Sequence, residues 1–435
     1  MDASPVKIRK DVAVVAMTSI VLLVGNYPFV TPLSEKAAVV EATRERAPLR
    51  FETIDSEEAF ARLGEAWDAL VRAMPRPSPF LLHCWLLEWW RHYGDGCRLA
   101  VEVAFRGTAL VGALPLITYR RRGLRVATFV GAGQSALADA LIACDESPDL
   151  VEALVERSSS SDHDFAELYG LPEGCRLATM NGPRKLHFFQ RVPAPVLDLG
   201  AGWEATYRAK TTSRKRAHHR HRRRQLAALG RFEIERSATP GELEPALEEG
   251  FRLHELRWRN RPDGSGLVTA TGKRFNRAVV RALAQIDTTR IVLLKIDGRP
   301  IAFSWYFLLE GRTFLHRLAF DPAFGRYSPG LVNALASLEL AAEEGATRVE
   351  YLGGAERYKL ELSDGFEPLY LGLGLPGTVA GRSVVAARTR WLALRARAKR
   401  SELVQKIYYQ AAPACRSMAR TRDVLRPGGV RRSGD

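Results

Sequence analysis

A stretch late in the chain, residues 312–359, has the residue types and spacing of a phosphate-binding unit. A strand-like run over residues 313–320 leads into the turn DPAFGRYSPG at residues 321–330. An amphipathic helix over residues 331–344 follows, and a short strand over residues 348–352 leads to a Tyr-Lys pair. A strand, a turn bearing Gly and Arg and then a helix can aim free backbone N–H groups at a phosphate.

Four residues of the turn are the candidates for that contact: Gly325, Arg326, Ser328 and Gly330. Glycine allows positive φ and a close backbone approach, and the Arg326 guanidinium can add charge-assisted bonds to phosphate oxygens. Pro329 lacks an N–H and therefore suits the first helical turn. An ordinary loop and helix start is the competing interpretation.

Several titratable residues lie in or just after the two strands and could transfer a proton or bind a charged group. Tyr358 follows the second strand and could act as a general acid, and Lys359 beside it could bind a phosphate or an acidic substrate. Glu350 is the first candidate for a general base and His316 is the second. His316 alternates with apolar residues of its strand, so a core position is an alternative for it. A surface location is the alternative for the Tyr-Lys pair.

A helix over residues 240–258 ends in a second group of polar and aromatic residues. Arg257 and Trp258 lie one turn after His254 and are candidates for contacting a sugar or an acidic substrate, although packing explains them equally well. No metal is expected, because the chain has no CxxC. The histidines at 218, 219 and 221 are an unsuitable ligand set, since they lie among nine cations.

The net charge of +15 over 435 residues is concentrated in two segments. Residues 208–224 carry nine Lys or Arg and no acid, and residues 377–435 carry fourteen against three acids. The rest of the chain is therefore mildly acidic. Basic segments attract nucleic acid, anionic lipid or anionic substrates, but they can also be solvated surfaces.

Residues 1–48 are predicted to be a leader, disordered or in contact with a membrane. The apolar run at residues 12–24 is too short to span a bilayer comfortably. It resembles part of a signal peptide, but no clear cleavage site follows. The five cysteines are scattered, which favours a reducing compartment. A cytoplasmic location is expected, with a peripheral position at the inner membrane face as an option.

The remainder divides into two similar halves, residues 49–200 and residues 201–376, before the basic helical tail at 377–435. Each half has a helix pair, an antiparallel meander, and then a helix and a strand. The predicted fold class is α+β, with a mostly antiparallel meander sheet, flanking helices and one parallel crossover in each half. A strand at 193–199 is assigned to the first half, whose counterpart of the Gly-bearing turn is residues 131–133.

An ordered set of segments carries a family resemblance over residues 51–376. The segments are PFLLHCWLLEWW, VGALPL, RKRAHHRHRRRQLAALG, LHELRW, DGRPIAF, FDPAFGRYSPG and EYLGGAERYK. Together they resemble the GNAT-superfamily acetyltransferases of the cellulose-biosynthesis type, which are related to the Fem-type aminoacyl transferases. The turn departs from the usual GNAT pattern, because it has a single glycine after Pro329 instead of closely spaced glycines.

The resemblance implies tandem GNAT-like domains, with acetyl-CoA or another acyl-CoA bound as co-substrate by the second domain and no metal. An acceptor amine or hydroxyl would attack the thioester directly, and Tyr358 would protonate the thiolate. The implied activity is an N- or O-acyltransferase, with a small-molecule or glycan acceptor in exopolysaccharide or cell-envelope metabolism.

Two other functions remain open. One is a Fem-type transferase that uses aminoacyl-tRNA, in which the basic helix follows RNA phosphates; under the first interpretation nucleic acid is not an expected partner. The other is a non-catalytic GNAT-like scaffold whose tail binds an anionic membrane surface or an envelope-synthesis complex. Ser-His-Asp hydrolysis is disfavoured by the absence of a GxSxG motif, and a Rossmann dehydrogenase by the absence of GxGxxG after the first strand.

Overall fold

Two mixed sheets form the framework, and each extends an antiparallel meander by one parallel strand. A computed structural model describes residues 47–160, 163–259, 266–353 and 356–400. Almost all of the predicted leader, and the tail beyond residue 400, lie outside these residues. No helix in the described part is both long enough and apolar enough to cross a membrane.

The first half begins with a strand and three helices. Ser56 caps the first helix by accepting a hydrogen bond from the Ala59 N–H, as its position before two glutamates predicts. The elements in chain order are β1 (Leu49–Ile54), α1 (Glu57–Ala61), α2 (Gly64–Arg72), α3 (His83–Tyr93), β2 (Cys97–Arg106), β3 (Ala109–Arg121), β4 (Leu124–Phe129), β5 (Leu141–Ile142), α4 (Asp149–Ser160), β6 (Phe165–Pro172) and β7 (Leu186–Val192).

The second half repeats this order with longer helices. Thr239 and Glu242 form a capping box at the start of the helix that ends at Trp258, and Pro240 takes the first helical position. The elements are β8 (Pro195–Asp198), α5 (Trp203–Lys210), α6 (Ser213–Ala227), β9 (Phe232–Ser237), α7 (Pro240–Trp258), α8 (Ala270–Gln285), β10 (Thr289–Ile296), β11 (Arg299–Leu309), β12 (Arg312–Phe320), α9 (Pro329–Glu343), β13 (Arg348–Glu350), α10 (Arg357–Glu361), β14 (Gly365–Phe366), β15 (Leu369–Gly374) and α11 (Val379–Arg400).

The strand order confirms the predicted fold class. The first sheet runs β1-β2-β3-β4-β6-β15-β7, with β5 paired to β3, and the second runs β14-β8-β13-β12-β11-β10-β9. In each sheet the meander is antiparallel, and the strand after the crossover helix is parallel to the meander's last strand: β4 with β6, and β12 with β13. The chain is therefore a tandem repeat of one α+β unit.

The two halves exchange one strand each. β8, which the sequence analysis assigns to the first half, pairs with β13 and β14 of the second sheet. β15 follows the second half but lies between β6 and β7 of the first sheet. Each sheet is thus completed by a strand from the other side of the repeat, which fixes the halves against each other.

Aromatic side chains fill the junction between the halves. Trp85 of α3 is fully buried, and its ring centroid lies 5.3 Å from that of Phe275 and 5.9 Å from that of Phe307, both in the second half. Phe80 contacts Phe307 edge to face at 5.7 Å. The aromatic helix therefore packs as the periodicity predicts, and its partners lie across the junction.

A buried carboxylate also joins the halves. Glu350, the last residue of β13, is fully buried, and its oxygens accept hydrogen bonds from Arg76 at 2.6 Å, Arg312 at 2.8 Å and Arg348 at 3.4 Å. Burial by itself would raise the pKa of Glu350, but the charges of Arg76, Arg348 and Arg312 outweigh it and lower the pKa. Arg76 belongs to the first half, so this cluster ties the end of β13 to the other sheet.

We expect Glu350→Gln to reduce the free energy of unfolding in urea by about 3–5 kcal/mol, because it leaves three arginines around a neutral side chain. Since the folded-state pKa is depressed, the carboxylate stabilises the fold above its unfolded pKa, and this stabilisation is lost as pH falls through the folded value. The wild type should therefore lose stability in acid more steeply than the variant.

The matched control is Glu310→Gln. Glu310 also bridges the halves, through Arg72 at 2.8 Å, but both side chains are substantially exposed. Glu310→Gln should reduce the free energy of unfolding by less than about 1 kcal/mol. Equal losses in the two variants would contradict the role assigned to burial at Glu350.

Candidate functional site

A cavity opens where β12 and β13 separate. Their parallel ladder ends at the pair Phe314 and Glu350, after which β12 continues while the other chain turns away at Leu352, whose φ is 58°. The cavity has a volume of about 380 Å³. Most of its lining comes from four segments: residues 315–318 of β12; His254, Arg257 and Trp258 of α7; Glu356, Tyr358 and Lys359 in and before α10; and residues 133–136 of the first half.

A β-bulge in β12 determines which side chains reach the cavity. Trp305 of β11 pairs with Arg317, and the next residue, Tyr306, pairs with Leu315, so His316 is an extra residue in the ladder. Regular alternation would place His316 and Leu318 on one face and their neighbours on the other. With the bulge and the open strand edge, all four residues from 315 to 318 line the cavity.

His316 lies against an aromatic wall. Its Nε2 atom is shielded from solvent and has no hydrogen-bond partner among the described residues. Burial, followed by the charge of Arg317, lowers the pKa of His316 well below its ordinary value, so the imidazole is neutral at pH 7. The surrounding rings have centroids 4.9–5.7 Å from that of His316 and belong to Trp305, Phe307, Phe80 and Trp85.

α7 contributes a second neutral imidazole. His254 stacks on Trp258 with a centroid separation of 5.6 Å and an interplanar angle of 10°. Burial, with the nearby charges of Arg317 and Arg257, lowers the pKa of His254 to about 4. Arg257 donates to the Leu318 carbonyl at 2.9 Å, and this bond fixes the end of α7 against β12.

Tyr358 and Lys359 enter the cavity from α10. The Tyr358 ring lies edge to face with Tyr351, with centroids 6.3 Å apart, and burial raises the pKa of its phenol. Lys359 donates to the Gly353 carbonyl at 2.6 Å and forms an ion pair with Glu356 at 3.1 Å. Lys359 thus holds the chain segment that follows β13.

The predicted phosphate turn begins at the far end of β12. Residues Pro322–Tyr327 form a 3-10 helix, Ser328 adopts the left-handed conformation with φ 57°, and α9 starts at Pro329. Arg222 of α6 donates to the Arg326 carbonyl at 2.8 Å. The glycines at 325 and 330, with Arg326 and Ser328, do not line the cavity; the turn is linked to it through β12 and α9, which contribute Leu318 and Ala334.

The structure does not bring Glu350 to the cavity. Its carboxylate is occupied by three arginines, and its lowered pKa makes it a weak proton acceptor. Of the predicted site residues, His316, Arg257, Trp258, Tyr358 and Lys359 share one cavity. The sequence analysis did not identify Arg317 or the loop at residues 133–136 as parts of the site. Arg317 could have been noticed as a cation within a largely apolar strand.

The described residues contain no group of three or more His, Cys, Asp or Glu that could hold a metal ion. The titratable and charged side chains that line the cavity are a phenol, two neutral imidazoles, the cations Arg257, Arg317 and Lys359, and the carboxylate of Glu356.

One family model matches part of the chain. It is described as an acetyltransferase (GNAT) domain and matches residues 213–360, from the start of α6 into α10. No curated protein matches the chain. These residues are therefore similar to a GNAT domain, and they include most of the cavity lining but not residues 133–136.

Three solved structures are similar to this chain, each at low sequence identity. FemX is 10% identical with a TM-score of 0.51, covering 74% of this chain and 96% of its own. The C-terminal domain of a protein assigned as a lysylphosphatidylglycerol synthetase from Agrobacterium fabrum is 14% identical with a TM-score of 0.49, covering 75% and 96%. A tandem GNAT protein from the clavulanic acid biosynthesis pathway is 13% identical with a TM-score of 0.41, covering 76% and 99%. At these identities FemX shows a shared fold and nothing finer.

Gly330 is expected to be intolerant of a side chain. A Cβ there would lie 2.8 Å from Cδ1 of Phe320 and 3.3 Å from Cδ2 of Leu318, so β12 or the start of α9 would have to shift. Gly330→Ala should cost about 1–3 kcal/mol of unfolding free energy despite the better helix propensity of alanine.

Gly325→Ala is the control in the same turn. Its Cβ would meet Cε2 of Phe320 at 3.9 Å, an ordinary contact, and the change should stay within about 0.5 kcal/mol. Equal tolerance of both substitutions would show that close packing does not hold the turn against β12.

Proposed function

We propose that this protein is an acyl-CoA-dependent N- or O-acyltransferase, with acetyl-CoA as the first candidate donor. The observation that carries the proposal is the cavity at the parting of β12 and β13, lined mostly by residues that match the GNAT family model, with Tyr358 in its wall. Beyond Phe314, β12 has no ladder partner on this side among the described residues. Its free edge suits an extended donor arm that carries amide groups.

The donor phosphates would bind at the turn before α9. The backbone N–H groups at a helix start attract phosphate, and Arg326 with Arg222 of α6 supplies positive charge beside them. In this proposal Gly325, Ser328 and Gly330 allow the backbone to approach, and the thioester lies in the cavity.

The reaction is a direct transfer. The acceptor nitrogen or oxygen attacks the thioester carbonyl carbon, a C–N or C–O bond forms, and the C–S bond breaks. The thiolate takes a proton from the Tyr358 phenol, which is protonated at neutral pH. The proton lost by the acceptor restores the phenol by way of solvent.

Removal of the acceptor's proton falls to a weak base. His316 lies in the cavity and is neutral, but its lowered pKa makes it a poor acceptor for a proton from a free ammonium group. After attack, the nitrogen of the tetrahedral adduct is far more acidic, and a weakly basic imidazole can take its proton. The acceptor is a small molecule or the end of a glycan, since the cavity is of ordinary ligand size.

Tyr358→Phe tests the acid. We expect kcat, followed as CoA thiol release, to fall on the order of 100-fold or more, while acetyl-CoA binding measured by thermal shift or calorimetry is unchanged. With an acyl thioester whose thiol is more acidic, the difference in kcat between the wild type and Tyr358→Phe should be smaller, because the departing thiolate has less need of a proton.

Tyr351→Phe is the matched control. It removes the same atom from the neighbouring ring, which lies outside the cavity lining and whose hydroxyl is buried without a partner among the described residues. Normal turnover with impaired CoA binding in Tyr358→Phe would exclude the acid role. No thermal shift of the wild type with any acyl-CoA at millimolar concentration would contradict the donor site.

A second candidate, a transferase that uses aminoacyl-tRNA, is favoured by a groove between α5, α6 and α9. Trp203, Tyr207 and His219 stack along it with successive centroid separations of 5.1 and 6.0 Å. The groove has a volume of about 570 Å³ and is bordered by Arg216, Arg220 and other arginines. Aromatic rings can stack with unpaired nucleic-acid bases, and the arginines beside them can bind the phosphates of the backbone.

The charge of α6 supports the same candidate. Its first turn carries cations and no acid, an arrangement that opposes the helix dipole and destabilises the free helix. Polyanion binding would offset that cost.

We expect tRNA affinity to fall steeply with salt if this candidate is correct, and Arg220→Gln to reduce the slope of log K against log salt by about one. Arg98→Gln, an exposed position on β2, is the control of equal charge change. Binding that is insensitive to salt would exclude the tRNA-dependent function and leave the acyl-CoA proposal unaffected.

A further inference from the structure

Arg317 is a partly buried cation that has no counterion among the described residues. It lies in the bulged part of β12 and lines the cavity beside His254 and His316. Its Nε atom is shielded from solvent and has no hydrogen-bond partner, and its guanidinium forms no ion pair within the described part of the chain. Glu356 is the one carboxylate among the described cavity residues, and it is paired with Lys359.

Two other arginines with little exposure are matched with carboxylates. Arg290 bonds to Glu344 at 2.6 Å and pairs with Asp287 at 2.8 Å. Arg76 bonds to Glu350 at 2.6 Å, as described above. Arg317 has no such carboxylate partner among the described residues.

A cation that is partly withdrawn from water without a counterion carries a free-energy cost. Burial lowers the pKa of Arg317, but a guanidinium keeps its proton at neutral pH, so the side chain cannot escape this cost by becoming neutral. A ligand that brings an oxyanion would recover this energy on binding.

We propose that the acceptor of the transfer reaction carries an oxyanion, either a carboxylate or a phosphate. The planar guanidinium of Arg317 binds this oxyanion. This inference rests on the proposed function, because it assigns a substrate class to the same cavity. Arg257 supplies a second cation in the wall, and the two imidazoles are uncharged, so no described group other than Glu356 repels the anion. Arg317 thereby selects anionic acceptors and orients them toward the thioester.

The bulge at His316 helps to form this anion-binding site. In a strand without a bulge, the side chains of two consecutive residues such as His316 and Arg317 would lie on opposite faces of the sheet. With it, the cation and the imidazole line the same cavity, next to the open edge of β12. The anchoring group and the reacting end of one small molecule can then be held together.

The experiment uses selenate, an oxyanion that anomalous scattering locates. Crystals of the wild type and of Arg317→Met are soaked in selenate, and the same proteins are unfolded thermally with succinate or with uncharged succinamide. We expect a selenate peak at Arg317 in the wild type and none in the variant. Succinate, but not succinamide, should raise the melting temperature of the wild type, and the variant should lose this response.

The stability of the free variant separates binding from a structural role. Arg317→Met should melt at or above the temperature of the wild type, since it removes an unpaired, partly buried charge, whereas a structural arginine would lower the melting temperature when lost. Arg98→Met, of equal charge change, should retain the selenate peak and the succinate response.

A wild-type cavity without selenate, or an unchanged succinate response in Arg317→Met, overturns the inference. If Arg317→Met fails to fold, the wild-type soak decides alone. Acetyl-CoA is titrated into the same proteins in parallel. If acetyl-CoA binds and selenate does not, the inference about Arg317 is wrong and the proposed donor site stands. If selenate binds and acetyl-CoA does not, the proposed donor site is wrong and the anion site at Arg317 stands.

Discussion

The buried charge cluster around Glu350 is the constraint on which the site depends. Glu350 is both the last paired residue of β13 and the residue that three arginines enclose. Because it is held there, the ladder with β12 stops at a defined place and the next residues turn away at Leu352. The cavity begins directly beyond this point, so a charge interaction at the junction of the two halves sets where it opens.

The electrostatic character of the cavity follows from what burial does to each group. The phenol of Tyr358 is kept protonated, and the two imidazoles are kept neutral. The guanidiniums cannot respond in this way, so they remain as fixed positive charges. The result is a cavity with a proton donor, two weak proton acceptors and an excess of positive charge, which is suited to a thiolate leaving group and to an anionic acceptor.

The exchange of β8 and β15 explains why the cavity includes a loop of the first half. Each sheet is completed by a strand from the other side of the repeat, so the halves cannot separate without breaking ladders in both sheets. Residues 133–136 are thereby held against α7 and β12. The first repeat therefore contributes to the site, because its loop supplies part of the cavity wall.

Local sequence patterns predicted much of this protein. Alternating apolar residues and short Gly turns specified both meanders, and Pro240 marked a helix start that the structure places at the same residue. The helix predicted over residues 331–344 starts two residues earlier, at Pro329. Local patterns also brought Tyr358, His316 and Arg257 to attention, because each stands at the end or edge of a recognisable element. Only the tertiary structure decided that Glu350 is enclosed by arginines, that β8 and β15 change sheets, and that Arg317 faces the cavity. Those outcomes depend on ladder register, a one-residue bulge and the pairing of charges distant in the chain, and none of these leaves a trace in local periodicity.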